Sequence, residues 1–126
     1  MSVLECLRGV GSRTVYTNCA RLYSFTIRTV DNVKYVPARH KSFVGVHIVE
    51  KARQIFEAVN ETNSENKDGK FKEIDGMIRS YKAYVVNLFE NFGLCAHKAT
   101  EWENFILNFE ASYKAWKKSF FQVGSC

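Results

Sequence analysis

One proline in 126 residues limits the architectures open to this chain. Proline cannot donate a backbone hydrogen bond and clashes with the preceding turn, so each one breaks a helix or bars a central strand. Here the break comes once, at Pro37, and long stretches on either side repeat apolar residues at helical spacing. Seven glycines are too few for a β protein, which needs turn residues every 8–12 positions. The chain therefore reads as all-α. Arg39-His40-Lys41 follows Pro37 almost directly, which predicts a compact positive corner at the turn between two helices.

The periodicity predicts four helices. The first runs from a Ser12 cap to about Val33, with Val15, Cys19, Leu22, Thr26, Thr29/Val30 and Val33 on one stripe. The second starts after the basic turn, with Ser42 as its cap, and buries Val44, Ile48, Ala52, Ile55/Phe56 and Val59. A polar loop over 60–69 follows. The third runs from about Lys70 to Asn91 on Ile74, Ile78, Tyr81, Val85, Leu88 and Phe92, and Gly93 supplies a left-handed stop. Thr100 and Glu103 spell a capping box that opens the fourth, which continues through Trp102, Phe105/Ile106, Phe109, Tyr113, Trp116 and Phe120 to about Phe121. Four such helices with short connections predict an antiparallel up-down four-helix bundle over 12–121, with an extension at 1–11 and a tail at 122–126. Tyr84, Phe89, Leu107 and Phe121 lie off the main stripes, either as a second packing surface or as scattered exposed side chains.

Nothing approaches the roughly 18 apolar residues of a membrane span, and residues 1–8 lack the basic start and apolar core of a secretory signal. The four cysteines, Cys6, Cys19, Cys95 and Cys126, form no C-x-x-C pair, so reduced thiols in a cytoplasmic protein are expected. His40 and His47 have no partner at metal-ligand spacing. Cys95 and His97 lack an orienting third group, and no glycine-rich phosphate loop or hydrolase motif is present. The expectation is a non-enzymatic protein without metal or cofactor.

Charge is what remains. Net charge is +5, and residues 1–41 carry all of it, seven Lys/Arg against Glu5 and Asp31; residues 42–126 carry eleven of each sign. Such one-sidedness serves either an anionic partner, nucleic acid foremost, or solubility. Arg21 and Arg28 share one face of the first helix, Arg79 and Lys82 lie on one side of the third together with Lys72, and Lys117 and Lys118 join Lys114 near the end of the fourth. With Arg39, His40 and Lys41 they form the candidate phosphate-binding surface.

In motif order the chain resembles the accessory variability determinants of diversity-generating retroelements, a sister group of the 23S rRNA intervening-sequence proteins. Val36-Pro37-Ala38-Arg39-His40-Lys41 is similar to the family's basic step after its first helix. Phe43 to Ile48, Tyr84 to Phe89 with Gly93-Leu94, and Trp116-Lys117-Lys118-Ser119-Phe120 match its later helices. The chain departs from it at 111–114, Ala-Ser-Tyr-Lys, where the family has a Gly-Arg stretch, and its third helix has fewer arginines. The resemblance implies a non-catalytic accessory protein that forms a five-membered homo-oligomeric ring. It also implies binding to a reverse transcriptase and to structured template RNA in support of mutagenic copying. Arg39, His40, Lys41, Arg79, Lys82, Lys117 and Lys118 fall on the family's basic positions. Two other readings stand beside it: an intervening-sequence type bundle, and a helical protein–protein adaptor whose charge is incidental.

Overall fold

The computed structural model describes residues 13–122, and within them every regular element is helical. Helix α1 spans Arg13–Asp31, α2 Val46–Glu61, α3 Lys67–Asn91 and α4 Ala96–Gln122. The Ser12 cap, the extension at 1–11, residues 123–126 of the tail and the side chain of Phe121 lie outside the described residues.

The stripes read from periodicity are the core. On α1, Val15, Cys19, Leu22, Thr26, Thr29 and Val30 are buried, joined by Phe25. On α2 the buried residues include Ile48, Ala52, Ile55 and Val59, and on α3 Ile74, Ile78, Tyr81, Val85 and Leu88. Trp102, Ile106, Phe109, Tyr113 and Trp116 come from α4. Helix α1 packs against both α2 and α4, α2 also packs against α3, and the α3–α4 seam is the most open.

Helix ends depart from expectation. Helix α1 stops at Asp31, so Val33 stands exposed in the link (62%) rather than closing the stripe. Asn32 makes that stop: its carbonyl takes the amides of Tyr35 and Val36 (both 3.0 Å) and its side chain takes that of Lys34 (3.0 Å). Pro37 does not follow a helix directly but opens one. In an extended conformation (φ −53°, ψ 149°) it leads into a single α turn, Ala38–His40, where a missing amide costs nothing. A π-helical turn, Lys41–Gly45, then runs unbroken into α2. Arg39, His40 and Lys41 thus sit on the first turns of a helical run, and Ser42 lies inside it rather than capping it.

Gly45 explains how this run reaches α1. A Cβ there would lie 2.6 Å from Cγ1 of Val30, closer than real carbon contacts allow, so a side chain at 45 would press into the branched Val30 side chain. The extra residue of the π turn accompanies a split between neighbours: Val44 is buried while Phe43 and Val46 face outward, Phe43 at 76% exposure.

The predicted loop over 60–69 shrinks to 62–66. Its Thr62 is buried and donates to the Ala58 carbonyl at 2.7 Å, and the Asn63 side-chain oxygen takes the amides of Glu65 and Asn66. At the far end of α3, Gly93 has φ +80° as expected, and the Leu88 carbonyl takes the amides of both Phe92 and Leu94 (3.2 Å each). Leu94 is thereby held in the core, and the link is so short that α4 starts at Ala96. Thr100 and Glu103 are therefore inside the helix and form no capping box. In that first turn Lys98 pairs instead with Glu101 at 2.6 Å.

One polar chain crosses the apolar interior. Trp102 Nε1 donates to Tyr81 Oη at 2.7 Å, and Tyr81 Oη lies 2.6 Å from Thr26 Oγ1. Thr26 itself donates to the Leu22 carbonyl at 2.7 Å. Because the threonine proton is committed, the tyrosine proton must go to Thr26, and every group in the chain has a partner. Helices α1, α3 and α4 are registered by it.

Candidate nucleic-acid interface

The nine basic residues singled out from the sequence do not make one surface. Three are neutralised. Lys41 is half-buried and reaches both the carbonyl (3.3 Å) and the carboxylate (3.5 Å) of Asp31. Lys82 pairs with Glu110 at 3.1 Å across the α3–α4 seam, and Lys117 with Asp75 at 2.8 Å. Burial raises the Asp75 carboxyl, but hydrogen bonds from Lys117 and from Tyr113 (2.7 Å) outweigh it and hold it below the usual carboxylate range. Desolvation, with that same bond to Asp75, pushes the Tyr113 hydroxyl well up.

The expected positive corner is also less compact than its sequence suggests. Arg39 is exposed and donates from Nε to Nε2 of His40 at 3.3 Å. Nδ1 of His40 is enclosed without a hydrogen-bond partner among the described residues, and the ring stands edge-on to Phe92 with centroids 5.1 Å apart. His40 is thus largely a packing residue, and Arg39 is the one residue of the three that offers charge outward.

Arg21, Arg28, Arg79 and Lys118 are exposed, and among the described residues none of them has a carboxylate within ion-pair distance. Arg79 sits one turn from Asp75 and adds to the field that lowers its carboxyl. Arg21 and Arg28 stand together along the α1–α4 seam. They share an open recess of about 450 Å³ with Thr17, Ala20, Ser24 and Phe105. Arg28 also borders a second recess of about 380 Å³, with Asn32, Tyr35, Phe105 and the Lys98–Glu101 pair. In that pair the mutual hydrogen bond lowers the Glu101 carboxyl and raises the Lys98 ammonium. The Lys98 ammonium also lies over the Tyr35 ring, 4.4 Å from its centroid.

Phe105 is the residue of this seam that the sequence did not single out as functional. Its spacing offered it and Ile106 for one core position, and Ile106 takes it, leaving Phe105 half-buried against Phe25. A usable signal was present for the arginines. Arg21 has no acid three or four residues away, and Arg28 has only Asp31, which Lys41 occupies.

The other surplus apolar residues lie across the molecule. Val86, Phe89 and Leu107 are exposed around a groove of about 490 Å³ on the α3–α4 seam, rimmed by Lys82, Glu103 and Glu110. Tyr84 packs parallel to His47, with centroids 6.3 Å apart. Cys95 and His97 are both exposed where α4 opens. Among the described residues no three His, Cys, Asp or Glu side chains cluster to hold a metal. No helix among them is long and apolar enough to cross a membrane.

Comparison of the chain with protein-family models, with curated proteins and with solved structures gave no match.

Proposed function

We propose that this chain is a non-catalytic, nucleic-acid-binding helical bundle working in the cytoplasm. On its motif resemblance, it is the accessory protein that brings structured template RNA to the reverse transcriptase of a diversity-generating retroelement. The observation that carries the nucleic-acid reading is the pair of exposed arginines, Arg21 and Arg28, neither with a carboxylate within ion-pair distance among the described residues, on a chain whose whole charge excess lies in its first third. Arg39, Arg79 and Lys118 add further outward charge. Helix lengths suit the family's up-down bundle. So do the cross-helix pairings Tyr16 with Trp116, Phe25 with Trp102, Tyr23 with Phe56 and Phe71 with Tyr113. The ring of five copies belongs to the same proposal.

The test is RNA binding by the whole chain across a salt series, with native mass by light scattering beside it. Five phosphate contacts give a log–log salt slope of about −3.5 on single strands. No RNA binding, or binding indifferent to salt, would remove this reading; a monomer would remove the ring alone. The second reading is a protein–protein adaptor, favoured specifically by exposed Val86, Phe89 and Leu107 around the α3–α4 groove. Apolar burial is not screened, so its partner would stay bound at high salt.

A further inference from the structure

We propose that the α1–α4 seam holds an unpaired stretch of single-stranded RNA, with one base stacked on Phe105 and its flanking phosphates on Arg21 and Arg28. The inference rests on the nucleic-acid reading above and gives it a site and a strandedness.

Phe105 has the setting of a fixed stacking platform. Its ring lies nearly parallel to Phe25, 25° between planes and 4.5 Å between centroids. Phe25 is buried and in turn meets Trp102 edge-on at 5.6 Å. Trp102 is fully buried and tied by Nε1 to Tyr81, and through it to Thr26, the chain neighbour of Phe25. A three-ring column therefore stands on the polar chain of the core and ends at the surface with Phe105. Such an aromatic loses little freedom when a base lands on it, which is what makes stacking on a held ring effective.

The charge is placed to match. Arg21 and Arg28 are seven residues apart on one helix, about 10.5 Å along its axis, and Phe105 borders the recess that both of them line. A base on the ring thus lies beside the recess that both guanidiniums border. Neither arginine has a carboxylate within ion-pair distance among the described residues; Glu101, whose carboxyl Arg28 helps to lower from across the seam, is paired with Lys98. Ser24 lies exposed between the two arginines and can bond a sugar or phosphate oxygen. A duplex hides its base faces and cannot use Phe105, so the seam prefers unpaired RNA. An acidic peptide would answer to the arginines but gain nothing from the ring.

The test uses the full chain, a fluorescently labelled 12-nucleotide oligoadenylate and a hairpin duplex of equal charge, followed by anisotropy. Phe105→Leu is expected to weaken oligoadenylate binding about tenfold and leave the hairpin unchanged. Phe105→Trp is expected to restore it, which loss of packing alone would not allow. Arg21→Gln with Arg28→Gln is expected to make the oligoadenylate salt slope shallower by about 1.4. Circular dichroism melts confirm that each variant is folded. The site is refuted if the folded variants bind oligoadenylate like the parent, or if Phe105→Leu weakens both RNAs equally. It is also refuted if a polyglutamate peptide competes for the seam as well as the oligonucleotide does. In each of those cases RNA binding by the parent leaves the wider nucleic-acid reading standing, whereas a parent that binds neither RNA overturns both.

Discussion

Removing a single oxygen from the core, by Tyr81→Phe, tests whether the polar chain through Trp102 and Thr26 holds three helices in register. The ring is kept, so the transfer and cavity costs of a large-to-small change are absent. Two hydrogen bonds disappear, at 2.7 Å and 2.6 Å. Their consequences differ. Thr26 keeps its bond to the Leu22 carbonyl and stays satisfied. Trp102 is fully buried, and no other acceptor for its indole N–H is seen. An orphaned buried donor costs about 1–3 kcal/mol, and the lost bond to Thr26 about 1 kcal/mol more. The expected loss is therefore about 3 kcal/mol, read as a lowered urea midpoint at unchanged m-value. Thr26→Val leaves the buried Tyr81 O–H without its acceptor and should cost about 1–3 kcal/mol. Because both substitutions delete the same Tyr81–Thr26 bond, the double variant should cost about 1 kcal/mol less than the two singles together. A Tyr81→Phe protein within 0.5 kcal/mol of the parent would refute the account, since it would mean the indole N–H finds another partner or needs none.

Four further expectations follow from the geometry. Gly45→Ala puts a methyl 2.6 Å from Val30 and should cost about 1–3 kcal/mol in urea unfolding, with Val30→Ala in the same chain recovering part of it; equal losses in both proteins would sink the steric argument. Burial pushes the Cys19 thiol from 9.0 up to about 12; a raised folded value means stability is whole below pH 9 and falls as pH rises toward 12, at up to about 1.4 kcal/mol per unit. Cys19→Ala should make the fall of stability between pH 9 and 10 shallower, the remainder coming from the tyrosines that burial also raises in the fold, and an unchanged slope there would contradict it. Asp75→Asn removes the acceptor of Lys117, weakens that of Tyr113 and should cost about 1 kcal/mol at pH 7; because the folded carboxyl is lowered from 3.8, that cost should shrink as pH falls below 3.8 and through the folded value, and a cost that does not shrink in acid would point to packing instead. Finally, Arg39→Glu should weaken RNA binding more than Lys41→Glu, because Lys41 is already matched by Asp31; equal effects by anisotropy would restore the compact basic corner.

The sequence by itself determined which faces are buried. Stripes such as Val15-Cys19-Leu22-Thr26 and Ile74-Ile78-Tyr81-Val85-Leu88 are written at helical spacing, and burying them needs only that each helix form and find an apolar neighbour. Gly93 is legible for the same reason, since a positive φ is a demand on one residue. Where helices begin was decided by tertiary structure. Thr100 and Glu103 have the chemistry of a cap, but holding Leu94 in the core brings the chain into α4 at Ala96, before the box can act. Ser42 is passed over likewise, because the helical run already opens after Pro37 and continues through Lys41–Gly45. The charges divide along the same line. Asp31 was there to be counted, yet which cation it would hold depends on how α1 meets the run that opens with Pro37. Lys82 and Lys117 look as available as Arg79 along the chain, and only the rotation of α3 against α4 sets Glu110 and Asp75 opposite them. Phe105 is the clearest case: spacing offers it and Ile106 for one stripe position, Ile106 takes the core, and Phe105 is left half-buried at the seam, stacked on Phe25 from α1. Periodicity is a property of one helix, whereas neutralising a charge or exposing a ring is a property of two.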